Sequence, residues 1–367
     1  MQRIVKNIKN NFDIYKISFF LGLTGFGGLA AIDMIKKAYV VKNKIISERK
    51  FLHALSLSQV LPGSTIINLI AYFNYLKAGL IGAIIGSIIY ILPSFLAMTA
   101  LAAIYFQYFN IPFIKKIVDG LNILLIPLLL NALISIGKSS YFRKAGLDYV
   151  SVTVSIICFF LAFFLKIKVL PLIAVSGVLA VILYASTGFL KNEYVIKEKV
   201  VGQIFKRKKV WLSLIALISF FSFFLYSFSQ PLWTLFSSFF KIGMLSFGGG
   251  VASIPLIEDV FVNKLQWLSI KQFWDGIAIS QIVPGPTLIS SAFFGYKIKG
   301  FAGSFMATFG VSIPSVALMI VAGKIHDRIK DNFLVRSITR GFLAGFIGLL
   351  LVLIISRIKG AILIVNL

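Results

Sequence analysis

Long apolar runs alternate with short basic stretches along the whole chain. In the first part they lie at about 14–35, 51–76, 79–107, 113–137, 147–165 and 169–187; in the second at about 210–229, 233–260, 272–298, 301–323 and 333–357. Several reach the roughly 20 residues that an α-helix needs to cross a bilayer. The pattern predicts an all-α polytopic membrane protein. A basic, polar leader precedes the first run, and the tract from Lys36 to Lys50 is so rich in charge that it is expected to be a loop. Pro127 is expected to kink its segment without ending it, and a short turn near Lys168 joins 147–165 to 169–187.

Two kinds of interruption stand out within these runs. Ser246-Phe247-Gly248-Gly249-Gly250 places three glycines in an apolar segment, and Ser280-Gln281-Ile282-Val283-Pro284-Gly285-Pro286-Thr287 places two prolines and a glycine in another. Glycine adds backbone freedom, and proline removes an N–H and clashes with the preceding turn, so both passages should break their helices. In a bilayer the freed groups must face protein, water or a ligand. The same pair occurs earlier. Gly25-Phe26-Gly27-Gly28 precedes Ser246-Phe247-Gly248-Gly249, and Ser58-Gln59-Val60-Leu61-Pro62-Gly63-Ser64-Thr65 precedes the Ser280 passage, by the same interval to within a single position. Tyr75 matches Tyr296, Gly79 and Gly82 match Gly300 and Gly303, and Leu92-Pro93-Ser94 matches Ile313-Pro314-Ser315. So many matches at one interval indicate an internal duplication.

The domain reading follows: a first half at 1–190, a basic linker at 191–209 closed by Lys206-Arg207-Lys208-Lys209, and a second half at 210–367 that opens with an extra span. If 51–76 crosses once, the halves face the membrane in opposite senses; if it is re-entrant, they come out parallel. Basic ends on both tracts favour the first arrangement by the positive-inside rule, and the Lys36–Lys50 tract opposes it. The reading adopted is two homologous halves with broken helices, arranged as inverted repeats.

Composition agrees. Hydrophobic residues make up 59% of the chain, above the roughly half of soluble domains. The net charge of +25 sits in the stretches between apolar runs, which assigns it to topology rather than to nucleic acid. No early segment pairs a short apolar core with a small-residue cleavage site, so 21–35 reads as retained structure. Cys158 is the only cysteine, which excludes disulfides within the chain. His53 and His326 share helical spacing with no other metal ligand, and the chain has no phosphate-cradling loop or dinucleotide fingerprint. No metal or cofactor is expected.

The broken helices suggest a site. A small oxyanion needs several convergent donors, and helix N-termini supply N–H groups together with a favourable dipole. Carriers place such half-helix ends near the midplane between repeats. Gly27, Gly28, Gly248, Gly249 and Gly250 would let backbone approach a ligand; Thr65 and Thr287, after the breaks at Gly63 and at Pro284-Gly285, could cap a half-helix or donate a hydroxyl. The alternative for the glycines is close helix packing through small residues. Gln59 and Gln281 could donate to the anion or bond a freed carbonyl. Ser58, Ser246 and Ser280 are weaker candidates, since serine readily bonds its own preceding turn. Lys241 could neutralise an anion or extend to the interface.

The second half resembles the chromate ion transporter family, in Phe240-Lys241-Ile242-Gly243, Ser246 to Gly250, Pro255-Leu256-Ile257-Glu258, Gln281 to Pro286, Gly295-Tyr296-Lys297 and Ile313-Pro314-Ser315. The first half is a diverged copy, with Gly25 where the pattern prefers serine, Leu29 where first halves often carry proline, Ser64 for the second proline and Phe20 opposite Lys241. The resemblance implies a carrier linked to chromate efflux in the bacterial cytoplasmic (inner) membrane, with sulfate as the structural analogue. It also marks Glu258 as the family's acidic position. Intramembrane carboxylates are costly and usually functional, so Glu258 is the candidate for proton coupling or gating, with Asp33 its approximate counterpart; the alternative is an interfacial loop residue, since Glu258 and Asp259 lie near the end of their segment. The expected partners are the oxyanion and the lipid bilayer, with no nucleic acid; a homodimer is left open. A membrane-embedded chromate reductase and a non-transporting scaffold are the alternatives from other classes, and a lone thiol without a cofactor motif speaks against the first.

Overall fold

A computed structural model describes residues 11–25, 29–143, 146–187, 230–329 and 332–365. Gly27, Gly28, the basic linker at 191–209 and the expected span at 210–229 lie outside the described residues, as does the side chain of Gln59.

The first apolar run divides into α1 (Phe12–Thr24) and α2 (Leu29–Lys36), the latter continuing as a wider π turn over Lys37–Lys42. Next come α3 (Glu48–Val60), α4 (Thr65–Tyr108) and α5 (Pro112–Tyr141), which passes through Pro127 without ending. A two-residue β-ladder, Phe142–Arg143 with Gly146–Leu147, leads into α6 (Tyr149–Phe163) and α7 (Val169–Thr187). The second part holds α8 (Gln230–Leu245), a 3-10 turn at Gly250–Ser253, and α9 (Ile254–Glu258) with its π turn Asp259–Lys264. It continues with α10 (Ile270–Ser280), a 3-10 turn at Thr287–Ile289, α11 (Ser290–Ile329) and α12 (Phe333–Val365). Five stretches among the described residues are long and apolar enough to cross a membrane. The protein is an all-α, multi-pass membrane protein.

The Lys36–Lys50 tract is mostly helical rather than a loop. Its apolar positions face inward, with Ile35 and Tyr39 fully buried, while Lys37 pairs with Asp33 at 2.9 Å and Lys36 with Glu48 at 2.6 Å on the outer side. The charge belongs to one face of an amphipathic element, and the chain leaves the helix only at 43–47. There Lys44 adopts a positive φ of 49° and Ser47 caps α3 through the Lys50 N–H. Gln266, at φ 52°, and Ser269, capping α10 through the Gln272 N–H, repeat these features at the equivalent positions of the second part.

Each glycine or Pro-Gly break folds the chain back on itself. The Phe51 ring lies 5.9 Å from Phe73 and the Phe273 ring 5.8 Å from Phe294, across the Pro62-Gly63 and Pro284-Gly285 breaks. Ser18 Oγ lies 3.1 Å from the Tyr39 hydroxyl, and Phe239 stacks 4.6 Å from Phe261, across the two glycine passages. Along an unbroken helix the members of each pair would stand about 30 Å apart. Four re-entrant hairpins result. The segment at 51–76 is therefore re-entrant, and so is the one at 14–35.

The long helices α4 and α11 are each bent double as well. Gly79 (φ 67°, ψ −160°) and Gly300 (φ 55°, ψ −143°) end one arm and start another. The Ser304 hydroxyl donates to the Ala292 carbonyl at 2.8 Å, and Asn74 packs against Gly86, contacts that a straight rod would hold about 18 Å apart. The second arms, 80–108 and 301–329, are the full crossings. They run antiparallel: Tyr105 at the end of the first lies 5.0 Å from Phe293, whose arm folds back beside Ser304 at the start of the second, while Tyr72, whose arm folds back beside Gly86, lies against Gly323 near the end of the second.

Matching glycines fix the packing of the first hairpin arms. Gly22 sits against the Tyr90 carbonyl and Pro93, and Gly243 against the Val311 carbonyl and Pro314, so any side chain at either position would displace backbone.

The fold predicts a labelling pattern. In a Cys158→Ser background, single cysteines at exposed Lys44 and Lys77 should react with an impermeant maleimide from one face of the membrane, and cysteines at Gln266 and Lys299 from the other. Reaction of all four from one face contradicts the antiparallel crossing arms.

Candidate functional site

The two Pro-Gly hairpin tips meet the opposite part of the chain in the interior. Gly63 donates its N–H to the Ser246 carbonyl at 2.8 Å, and Gly285 donates its N–H to the Gly25 carbonyl at 2.7 Å. The exchange is reciprocal: Gly63 and Gly285, and Gly25 and Ser246, are the paired positions of the duplicated motifs. Further contacts follow the same rule. The Ser64 N–H donates to Ser315 Oγ at 3.2 Å with Gly63 against the same side chain, while Gly285 abuts Ser94. Gly250 packs against Thr287, bringing the third of the four tips to the fourth.

Positive φ angles make these turns. Gly63 (96°), Gly285 (129°), Gly248 (88°) and Gly249 (95°) occupy the region where side chains are strained, and Gly249 has nothing within 4 Å of the position a Cβ would take. At each tip the first arm ends and the second begins, so C-terminal carbonyls and N-terminal amides arrive together. The carbonyls are partly satisfied: Gly25 and Ser246 accept the bonds just described, and Gln281 Nε2 approaches the Ile277 carbonyl at 3.4 Å. The amides are not. Among the described residues, the N–H groups of Thr65, Ile66, Gly248, Gly249, Gly250, Val251, Thr287 and Leu288 have no acceptor. The hydroxyls of Thr65 and Thr287 likewise have none among those residues. Unpaired donors at helix starts carry partial positive charge, so the cluster attracts an anion.

The other expected residues fall into two groups. Ser58, Ser246 and Ser280 donate to Leu55, Ile242 and Ile277 carbonyls at 2.8, 2.7 and 2.6 Å, so each hydroxyl proton stays with its own turn. Pro284 is half-buried at its tip. Glu258 stands half-buried at the end of α9, about 12 Å along the chain axis from Gly250. Asp33 is exposed in its ion pair with Lys37, and Lys241 is exposed on α8.

Sequence reasoning missed Asn68. It is fully buried one turn into α4, and neither Nδ2 nor Oδ1 has a partner. Ser64, Asn68 and Tyr72 form one stripe, whose ends touch Ser315 and Gly323 of α11. Helical side chains lean toward the N-terminus, which brings this amide back toward the tip. An amide with four unmet hydrogen-bonding positions in a dry interior costs several kcal/mol, so its presence points to a bound species. The signal was an asparagine in an apolar run. Two buried carboxylates were also overlooked: Asp148, which accepts from Tyr184 at 2.6 Å and lies 3.6 Å from Arg340, and Asp275 on α10.

The sequence profile of the family described as chromate transporter matches residues 12–183 and 233–366, two stretches whose starts are separated by the interval of the duplicated motifs. The chain belongs to the chromate transporter family. Among relatives, it is 29% identical to an uncharacterized transporter of Methanocaldococcus jannaschii, over 94% of this chain and 84% of that protein. It is 26% identical to the chromate transport protein of Pseudomonas aeruginosa, over 90% and 76%, and 23% identical to that of Cupriavidus metallidurans, over 89% and 78%. No solved structure matches the chain.

Asn68 offers a direct check. Asn68→Leu removes two unsatisfied polar atoms at similar volume, so the melting temperature of the detergent-solubilised protein should not fall. The rise in melting temperature produced by chromate, which reports binding to the folded state, should disappear. A variant stabilised by chromate as strongly as the wild type removes Asn68 from the site.

Proposed function

We propose that the protein is a secondary transporter that carries chromate, or a tetrahedral oxyanion of similar size such as sulfate, out of the cell across the bacterial cytoplasmic membrane. The observation that carries this reading is the cluster of unpaired backbone N–H groups at converging half-helix starts, in a chain of the chromate transporter family. The two parts of the chain act as inverted repeats about an axis in the membrane plane. The reciprocal Gly63–Ser246 and Gly285–Gly25 bonds and the antiparallel crossing arms support that arrangement.

In this mechanism the tip amides at Gly248–Val251, Thr65–Ile66 and Thr287–Leu288, with the Gly27-Gly28 passage as their sequence counterpart, bind the anion through main-chain dipoles. The threonine hydroxyls and the Asn68 amide add side-chain donors. Gln281, with Gln59 as its sequence counterpart, orders the carbonyl ends, so that the anion meets donors rather than oxygens. Glu258 gates access along α9, while Asp33 and Lys241 act at the surface. Uniform positive potential without a fixed cation suits a carrier, since the ligand must leave as readily as it enters.

The membrane potential supplies the direction. An inside-negative potential is worth about 2.3 kcal/mol per charge per 100 mV, so a dianion gains roughly 4.6 kcal/mol on leaving, over a thousandfold in concentration. Export needs no nucleotide. Cys158, the only cysteine of the chain, is buried in packing against Gly345 and Gly348 of α12, which fits a carrier better than a reductase.

The test is tracer chromate flux in proteoliposomes, competed by sulfate, molybdate and phosphate. Gly248→Val, which combines a strained φ with collision against Leu343, should slow flux at least tenfold. Gln281→Ala should slow it about fivefold, the equivalent of one lost hydrogen bond of roughly 1 kcal/mol. Unchanged rates in both variants at equal reconstitution overturn the assignment of the site.

A further inference from the structure

We propose that Asp275 is a proton-binding site that couples movement of the α10–α11 hairpin to the pH gradient, an inference that rests on the transport reading above. Asp275 is fully buried on α10, the first arm of a hairpin whose tip reaches the candidate site. Three elements meet its carboxylate, and a fourth reaches it through Asn122. From α4, the Tyr105 hydroxyl donates to Oδ2 at 2.6 Å; from α5, Asn122 Nδ2 donates to Oδ1 at 2.5 Å. From α12, Arg357 donates to Asn122 Oδ1 at 2.8 Å and lies over the Trp274 ring at 5.1 Å. From α10 itself, Lys271 stands 3.6 Å from Oδ2 and 3.3 Å from Asp119 Oδ1 of α5, above the Phe109 ring. These are the titratable and charged groups that face the carboxylate.

The rest of the hairpin's packing at this level is apolar. Phe273 stacks on Phe294, and Gly276 admits the rings of Phe293 and Phe294. The polar attachments of α10 to the crossing arm of α4 and to α5 therefore run through this carboxylate, with the Lys271–Asp119 pair at its exposed edge and Arg357 of α12 joined to it through Asn122. A charged carboxylate moved off these partners would be left unpaired among aromatic rings, which is strongly unfavourable; a neutral acid would not. Displacement of the hairpin and uptake of one proton consequently favour each other, and the linkage is reciprocal.

The step balances simply. One proton from water joins Oδ2 to give the carboxylic acid, the Tyr105 hydroxyl turns from donor to acceptor, and the ion pair with Lys271 is lost. Lys271 is half exposed and adjoins Oδ2, so it marks the route by which that proton enters. On return, the proton leaves and the two donors re-form. The equivalent position of the first half, on α3, is His53, so the matching place there also carries a titratable group.

The experiment uses the full chain in proteoliposomes, with tracer chromate and an entrapped pH dye read together while the membrane potential is clamped. Wild type should move protons with chromate. In Asp275→Asn, protons moved per chromate should fall at least tenfold. If that variant carries no flux, Tyr105→Phe decides: it keeps the carboxylate but removes one donor to it, so the midpoint of the pH–flux profile should move away from that of wild type. An Asp275→Asn ratio equal to that of wild type, or an unshifted Tyr105→Phe midpoint, overturns the inference. Wild-type vesicles that exchange chromate without protons overturn it and leave the transport reading standing; vesicles that exchange nothing overturn both.

Discussion

A peptide group inside a bilayer has to bond to something, and this fold depends on how four chain reversals meet that demand. Every hairpin tip exposes carbonyls from an ending helix and amides from a starting one. The two bonds Gly63 N–H to Ser246 carbonyl and Gly285 N–H to Gly25 carbonyl settle part of the deficit by exchange between the two parts of the chain. Each bond is worth only about 1 kcal/mol net, but leaving either pair unmade would cost more than that in a buried setting. The exchange also holds the tips in register, because each Pro-Gly turn is held against the Pro-Ser turn of the other crossing arm. Stability and site geometry therefore come from the same contacts.

An asymmetry remains after that exchange, and it gives the interior its character. Among the described residues, the Gly25, Ser246 and Ile277 carbonyls find partners in tip amides and in the Gln281 side chain, whereas the amides of the helix starts find no acceptor. Partial positive charge accumulates where the arms begin, without any fixed cation among the tip residues described. Lysines and arginines lie outward instead, and the deep Arg340 and Arg357 are occupied elsewhere, near Asp148 and Asn122. On the proposed reading such a site would hold an anion by dipoles alone, which is compatible with rapid release. The two parts are also not equivalent. Ser18, Tyr39 and Asn74 form a hydrogen-bonded group where Phe239, Phe261 and Gly295 form an apolar one, so the first hairpin of each part is stiffened by different forces.

Much of this was legible in the residues. Glycines in series and Pro-Gly within apolar runs announce broken helices because their physics is local. Whether a broken segment continues or folds back is not local: it is decided by Phe51 meeting Phe73 and by Ser18 meeting Tyr39, far apart along the chain, and hydropathy carries no trace of either. The Lys36–Lys50 tract was misread for a related reason. Its charge density is that of a loop, but Ile35 and Tyr39 on the inner face make it an amphipathic helix end, a period that the count of lysines hides. Asn68 and Asp275 were visible as polar residues in apolar runs and drew no notice beside the more conspicuous breaks. Their weight comes from burial: one has no partner, the other four elements around it.

The most direct measurement is the position of chromium in an anomalous difference map of the protein crystallised with chromate. The account places the peak among the hairpin tips, within hydrogen-bonding reach of the Gly249–Val251 amides and of the Thr65 or Thr287 helix start. A single peak elsewhere, at a basic surface or between lipid-facing helices, with the tip amides bonded to protein, would contradict it.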